Sequence, residues 1–119
     1  MKVIFKLNLH KAGQFSLNSI YQGMHWTKRK QQADFFHNFV VSELNRQKIK
    51  AKMFNKPVEV NLYYNDRLDI DNHGYIAKLV IDSLKGLFIV DDTKKYVKKL
   101  TQEFYEDQGI LVEIKEYKG

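Results

Sequence analysis

The sequence predicts one α+β domain with a mixed β-sheet of about four strands and two main helices. Three observations support this fold class: apolar side chains alternate in four short segments, they recur at helical spacing in two longer ones, and these segments follow the order β-α-β-α-β-β. The 119 residues are about enough for one domain. No repeat, low-complexity tract or linker divides them, so residues 1–119 are taken as a single unit.

The N-terminal part predicts a strand, a long loop and a helix. Residues 2–9 alternate between apolar and polar side chains, as in a half-buried strand. Residues 11–27 are rich in Gly, Ser and Asn and have no steady period, which indicates a loop of unusual length. From Thr27, a candidate N-cap, to Gln47, apolar side chains predict one amphipathic helix. The apolar faces comprise Val3, Phe5 and Leu7 in the strand and Ala33, Phe36, Val40 and Leu44 in the helix.

A second strand and a second helix follow. Pro57 precedes a strand whose apolar side chains share one face, and after a turn the alternation resumes at Leu68 and Ile70. A helix is predicted over residues 72–85, closed by Gly86 just beyond its C-cap. The apolar faces comprise Val58, Val60, Leu62 and Tyr64 in the strand and Ile76, Leu79, Val80, Ser83 and Leu84 in the helix.

The last two strands are predicted over residues 95–105 and 110–116. Between them, Glu106-Asp107-Gln108-Gly109 has the composition of a tight turn, which favours pairing of the two strands as a β-hairpin. They complete the strands of the predicted sheet.

The chain contains no cysteine, which excludes disulfides and cysteine-ligated zinc and favours an intracellular protein. Its longest apolar stretch, Leu87–Val90, is far shorter than a membrane span, and the first residues lack the apolar core of a signal peptide. We therefore expect a cytoplasmic protein without a membrane partner.

Charge is unevenly distributed along the chain. Residues 1–60 hold 11 Lys and Arg against 3 Asp and Glu, a net charge of +8, whereas residues 61–119 hold 9 against 11, a net charge of −2. A basic half beside an acidic half suggests a surface that binds a polyanion next to an anionic pocket. Nucleic acid with a metal ion satisfies both, whereas the simpler alternative is that scattered lysines only keep the protein soluble.

The densest polar cluster contains two aspartates two residues apart. In an extended segment the side chains of Asp69 and Asp71 leave the same face, with Cα atoms about 6.6 Å apart, and can converge on one hard cation. Mg²⁺ suits such oxygen ligands, and Asp91 or Asp92 could supply a third carboxylate. The alternative is that Asp71 or Asn72 only caps the following helix while Asp69 lies in a turn.

Two further features could contact phosphate groups. One stripe of the second helix, set off from its apolar face, comprises Asp71, Tyr75, Lys78 and Asp82. Its lysine could offset charge on a phosphate, or it could simply pair with the neighbouring aspartate. Basic and aromatic side chains interleave over residues 21–30, and residues 94–99 add four lysines. Such runs suit phosphate contacts and base stacking, although a charge run is also typical of a solvated face.

Taken together, these segments resemble the RusA-type Holliday junction resolvases, particularly the small versions found in phages and prophages. The resemblance lies in the order and spacing of the segments rather than in any one of them, and it covers residues 16–97. The segments are Ser16–Tyr21, His25–Lys30, Asp69–Asn72, Lys78 with Asp82–Leu84, and Asp91–Lys94.

The resemblance implies a homodimeric, Mg²⁺-dependent endonuclease that cuts four-way DNA junctions by paired symmetric nicks, with Mn²⁺ able to replace Mg²⁺. The residues that match the family's metal ligands are Asp69, Asp71 and Asp92, with Asp91 as support. Lys78 is the expected catalytic cation, although the best-known family pattern places a lysine where this chain has Tyr75. DNA contacts are expected from Asn18, Tyr21, Lys28, Arg29, Lys30, Asn72, Lys94 and Lys95.

The implied mechanism is hydrolysis of a phosphodiester. Mg²⁺ would polarise the scissile phosphate and lower the pKa of a bound water that attacks in line, while the basic half holds the flanking backbone. Two alternatives stay open. The chain could bind branched or duplex DNA without cutting it, or it could be a less selective nuclease or an interaction module whose acidic residues are only helix caps.

Overall fold

A four-stranded sheet forms the frame of the fold. In the computed structural model, which describes residues 1–9, 15 and 25–119, the strand order is β1-β4-β2-β3. The strands are Lys2–Leu7 (β1), Val58–Tyr64 (β2), Val97–Phe104 (β3) and Ile110–Glu116 (β4). β2 and β3 run parallel, whereas β4 pairs antiparallel with both β1 and β2. The predicted α+β class with a mixed sheet is confirmed.

Two α-helices, Trp26–Arg46 (α1) and Gly74–Leu84 (α2), pack against the sheet, and a 3-10 turn over Ile70–His73 leads into α2. The N-cap of α1 is His25, whose Nδ1 accepts a hydrogen bond from the Thr27 backbone N–H at 3.1 Å. The prediction that Thr27 is the cap is therefore wrong. Thr27 is the second helical residue, and its amide is one of those that a cap has to satisfy.

The predicted apolar faces meet in one core between the sheet and the helices. Buried strand residues include Phe5, Leu7, Val58, Val60, Leu62 and Tyr64, and buried helix residues include Phe36, Val40, Leu44, Ile76, Leu79, Val80, Ser83 and Leu84. Val3 and Ala33 are partly buried and pack against this core. Successive strand side chains point to opposite faces, and the buried apolar ones occupy alternate positions, so both helices cover the same face of the sheet.

The segment before α2 differs from the prediction, whereas the end of α2 agrees with it. Leu68 and Ile70 do not continue a strand, because the chain turns into the 3-10 helix at Ile70, whose side chain is exposed. Gly86 follows the C-cap Lys85 with φ of +80°, a left-handed conformation that glycine adopts without strain.

The predicted hairpin between the last two strands is wrong. Among the strands of the described structure, β3 pairs with β2 alone, and β4 lies on the other side of β2, so the connection between them passes the end of β2. Tyr105 secures this crossing: its backbone N–H donates to the Tyr64 carbonyl at 2.9 Å, and its hydroxyl donates to the Gly109 carbonyl at 2.8 Å. The apolar side chains of β4 are buried, which suits a central strand, whereas β3 carries exposed Lys98 and Lys99, which suit an edge.

The loop predicted over residues 11–27 lies mostly outside the described residues. Phe15 is buried, and its ring meets that of Phe36 edge to face with centroids 5.6 Å apart. Among the described parts of the chain, none of the helices has the length and apolar character required to cross a lipid bilayer.

Candidate functional site

A surface cleft of about 450 Å³ lies where α1 and α2 face each other. Its α1 wall consists of Trp26, Arg29, Lys30 and Ala33, and its α2 wall consists of Tyr75, Lys78, Leu79 and Asp82, with Gly74 at the end. Both walls have the spacing i, i+3, i+4 and i+7, which places their members on one face of each helix. The cleft is therefore a direct product of helical periodicity in two separate segments.

Tyr75 forms part of the floor of this cleft. Its side chain is buried, and its hydroxyl donates to Gln32 Oε1 at 3.1 Å, which links α2 to α1. Burial raises the pKa of this hydroxyl, although the positive charge of Arg29 acts to lower it. Tyr75, Lys78 and Asp82 of the predicted stripe line this cleft together, but Tyr75 is not set off from the apolar face, because its side chain is buried against α1.

Positive charge and an exposed aromatic ring line the rim of the cleft. Arg29, Lys30 and Lys78 are exposed, and the Trp26 indole is 64% exposed. The His25 ring stacks beside this indole with centroids 5.9 Å apart. Lys78 also pairs with Asp82, with Nζ 2.9 Å from Oδ2. The rim thus combines groups suited to phosphate and to a flat aromatic ligand.

A second cleft of about 400 Å³ adjoins the first. The two share Gly74, Lys78 and Asp82, and the second adds Asp92 from the turn before β3 and Leu100 and Gln102 from β3 itself. We call the two clefts together the α1–α2–β3 groove. It is basic at the Trp26 end and acidic at the Asp92 end, so it brings the predicted Lys78 and Asp92 to one surface.

Three carboxylates surround one lysine beside the acidic end of the groove. The Lys85 Nζ lies 3.3 Å from Asp82 Oδ1, 3.4 Å from Asp92 Oδ2 and 3.7 Å from Asp91 Oδ1. Partial burial acts to lower the pKa of Lys85, but Asp82 and Asp92 outweigh it and raise this pKa. Burial likewise acts to raise the pKa of Asp92, but hydrogen bonding to Asp91 and Lys85 lowers it. The predicted pair Asp91 and Asp92 is therefore gathered around a cation together with Asp82.

The other predicted metal ligands lie at the start of the 3-10 turn. Asp69 and Asp71 are exposed, and in the described structure their carboxylates form no hydrogen bond or ion pair. The N-caps are Asp69 for the 3-10 turn and His73 for α2, and neither side chain makes a cap bond. The alternative role of Asp71 as the cap is thus not found.

The predicted trio of carboxylates is not preassembled. Across residues 1–9, 15 and 25–119, no three His, Asp or Glu side chains are arranged as a ready metal site, so Asp69, Asp71 and Asp92 do not share a centre. The donor chemistry nevertheless suits a hard cation, since every candidate offers carboxylate oxygens. In addition, Asp82 Oδ1 is buried without a hydrogen bond, although it contacts the Lys85 ammonium.

The remaining predicted DNA contacts are spread around the groove. Lys28 is exposed on α1 but lines neither cleft, Asn72 is half-buried in the 3-10 turn, and Lys94 and Lys95 are exposed just after Asp92. Asn18 and Tyr21 lie outside the described residues.

A contact between the buried His73 ring and the half-buried Asp66 carboxylate, which periodicity does not reveal, holds the 3-10 turn. His73 is fully buried, and its Nε2 lies 2.9 Å from both carboxylate oxygens of Asp66 while its Nδ1 lies 2.9 Å from the Asp69 carbonyl. Both ring nitrogens therefore face oxygen acceptors, to which an imidazole N–H can donate. The only trace in the sequence is a histidine seven residues after an aspartate. The pair fixes the backbone that carries Asp69 and Asp71.

Trp26 and Asp82 line the groove and Lys85 contacts the carboxylates beside it, whereas the sequence prediction named none of the three as a site residue. The spacing of Asp82 and Lys85, three residues apart on a helix, was a signal for their pairing, but nothing local places Asp91 and Asp92 beside them.

No protein-family model matches the chain, and no curated protein matches it either.

Replacing Lys85 with methionine is expected to destabilise the protein by about 1 kcal/mol at neutral pH, because three carboxylates would then repel one another without their shared cation. The pKa of Asp92 should rise, since Lys85 helps to lower it. A carboxyl whose pKa is lower in the folded state stabilises the fold above its unfolded pKa, and that stabilisation is lost as the pH falls. The difference between the two proteins should therefore shrink below the ordinary Asp pKa of 3.8.

Urea unfolding at neutral pH and at about pH 3 measures this difference. The matched control is Lys78→Met, because Lys78 is 67% exposed and pairs with Asp82 alone among the three carboxylates. Equal losses of stability in both variants, or a Lys85→Met loss that does not depend on pH, would show that Lys85 does not hold the carboxylates together.

Proposed function

We propose that the chain is a Mg²⁺-dependent endonuclease that resolves four-way DNA junctions. The observation that carries this proposal is the α1–α2–β3 groove, which leads from cations and an exposed indole at Trp26 to carboxylates at Asp82 and Asp92. DNA cleavage needs both kinds of group. Cations bind the phosphates, and carboxylates can hold a metal ion that activates water for hydrolysis. The resemblance in the order of motifs to RusA-type resolvases supports the same activity.

The basic end of the groove would bind the DNA backbone. Arg29 and Lys30 are exposed on its wall, and Lys78 lies between the basic and the acidic ends. Lys78 is thus placed to offset charge on the phosphate nearest the carboxylates. The positive charge of residues 1–60 adds a sequence-independent attraction for the duplex arms.

The acidic residues would bind the divalent cation. The candidate ligands are Asp69, Asp71, Asp91 and Asp92, to which the structure adds Asp82 beside Lys85. A bound Mg²⁺ ion supplies Lewis-acid polarisation of the phosphate and a water of lowered pKa. Lys85 keeps Asp82, Asp91 and Asp92 close together in the absence of such an ion, and the pair of Asp66 and His73 orients the segment that holds Asp69 and Asp71.

Paired nicks require two such grooves. A homodimer with two-fold symmetry would place one groove against each of two opposed strands, so that one junction receives symmetric cuts. We therefore include the homodimer in the proposal.

The decisive experiment compares the purified protein on a four-way junction, a linear duplex and a single strand of the same sequences at one salt concentration. We expect symmetric nicks in the junction with Mg²⁺ or Mn²⁺, none in the duplex, and junction binding without nicking in EDTA. Because backbone attraction alone prefers no substrate strongly, equal cutting of all three would indicate a less selective nuclease. Junction binding without nicking in Mg²⁺ would indicate a binding protein instead.

A further inference from the structure

Trp26 is the single tryptophan of the chain, and its indole is 64% exposed at the mouth of the cleft between α1 and α2. Among the described residues, the His25 ring stacks beside it at 5.9 Å, and a large part of the Trp26 surface remains in contact with solvent. An exposed indole at the rim of a cleft is available to stack on a ligand.

The groups around the indole indicate what binds there. Arg29 and Lys30 extend from the same helix wall, and the floor is apolar, with Ala33, Tyr75 and Leu79. A complementary ligand therefore has a flat aromatic part, which can stack on the indole, and negative charge, which can pair with the cations. A nucleotide has both parts.

The volume and the position of charge restrict the ligand further. At about 450 Å³, the cleft is in the usual range for one small molecule and far too small for a double helix. Asp82 lies on the α2 wall, where its negative charge repels phosphate. We therefore expect the phosphates to lie beside Arg29 and Lys30 or on Lys78. The base then lies over the floor beside Trp26.

We infer that this cleft holds one unpaired nucleotide of DNA, with its base stacked on Trp26 and its phosphates on Arg29 and Lys30. The inference rests on the proposed function, since a branched DNA is the substrate that offers bases free of their partners. The cleft shares Lys78 and Asp82 with the neighbouring cleft, which Asp92 also lines.

The test uses the full chain in EDTA, so that binding is measured apart from cleavage. A labelled oligothymidylate of twelve nucleotides is titrated by fluorescence anisotropy, and the emission of the single tryptophan is followed in the same titration. We expect the oligonucleotide to quench Trp26. We expect Trp26→Ala to weaken oligonucleotide binding about 5- to 150-fold, the range for loss of one base stack, and Trp26→Phe to restore most of it. Tyr117→Ala, which removes another exposed aromatic ring, is the matched control and should bind normally.

Several outcomes would overturn the inference. These are unchanged Trp26 emission, normal oligonucleotide binding by Trp26→Ala, an equal loss in Tyr117→Ala, and quenching by a blunt linear duplex as strong as by the single strand. Tighter binding of an oligouridylate of equal length would assign the cleft to RNA and reject DNA. A circular dichroism spectrum identical to that of the unaltered chain shows that Trp26→Ala is folded, and Trp26→Phe tests the same stack if it is not.

Failure of the inference and failure of the proposed function are distinguishable. If the protein binds oligothymidylate through Trp26 but nicks no junction, the cleft assignment stands and the endonuclease proposal fails. If the protein nicks junctions while Trp26→Ala binds oligothymidylate and the junction with the affinity of the unaltered protein, only the cleft assignment fails.

Discussion

Replacing Asp71 with asparagine is expected to abolish nicking of a four-way junction in Mg²⁺ while leaving junction binding in EDTA intact. The carboxylate is exposed and has no partner in the described structure, so the substitution should not disturb folding. Asparagine keeps the shape but removes the charge, which a hard dication requires of its ligands. Because outer-shell partners of a metal already contribute 10- to 100-fold, loss of a direct ligand should reduce the nicking rate by at least about 100-fold.

Asp34→Asn is the matched control, since Asp34 is an exposed aspartate of α1 that lines neither cleft. It should nick junctions at the normal rate. Normal nicking by Asp71→Asn would remove Asp71 from the metal site. If Asp82→Asn abolished nicking in that case, the carboxylates around Lys85 would be the ligands, and the 3-10 turn would have no catalytic role.

Replacing Asp66 with alanine is expected to lower the free energy of unfolding by about 1 to 3 kcal/mol, the usual cost of leaving a buried polar group without its partner. His73 is fully buried between Tyr64, with ring centroids 3.9 Å apart, and Phe104, at 5.6 Å. Without Asp66, its Nε2 would lose the acceptor that it has in the described structure, and a buried polar nitrogen without a partner costs free energy. Urea unfolding at neutral pH measures the loss.

Two control variants identify the cause of this loss. Asp66→Asn keeps an oxygen that can accept from the His73 ring, so it should cost clearly less than the alanine variant. Asp107→Ala removes an aspartate whose ion pair with Lys6 is on the surface, and it should change stability little. Losses of equal size in Asp66→Ala and Asp107→Ala would mean that the buried pair does not stabilise the fold.

Strands and helices whose apolar side chains recur at a regular spacing could be predicted from the sequence, because burial of one face determines which positions are apolar. The strands Val58–Tyr64 and Ile110–Glu116 were predicted with the bounds that the structure has. Pairing of strands is not a local property, and this explains the error over the hairpin. The turn composition at Glu106–Gly109 was compatible with adjacent strands, but the most apolar strands took the central positions.

The site was predictable to the extent that it follows from single helices or short loops. The stripe of α2 correctly placed Lys78 beside Asp82, but spacing alone could not show that Tyr75 faces α1. Likewise, Lys85 approaches Asp91 and Asp92 only because the chain reverses after Gly86. Contacts that depend on such a reversal have no periodic signature.

The hydrogen bond between Tyr75 and Gln32 has a kinetic consequence. It ties α1 to α2, so the two helices that carry the cleft walls keep their spacing and a ligand that enters does not have to order their backbones. Association rates should then vary little among related ligands, and residence time should account for most of the difference in their affinities.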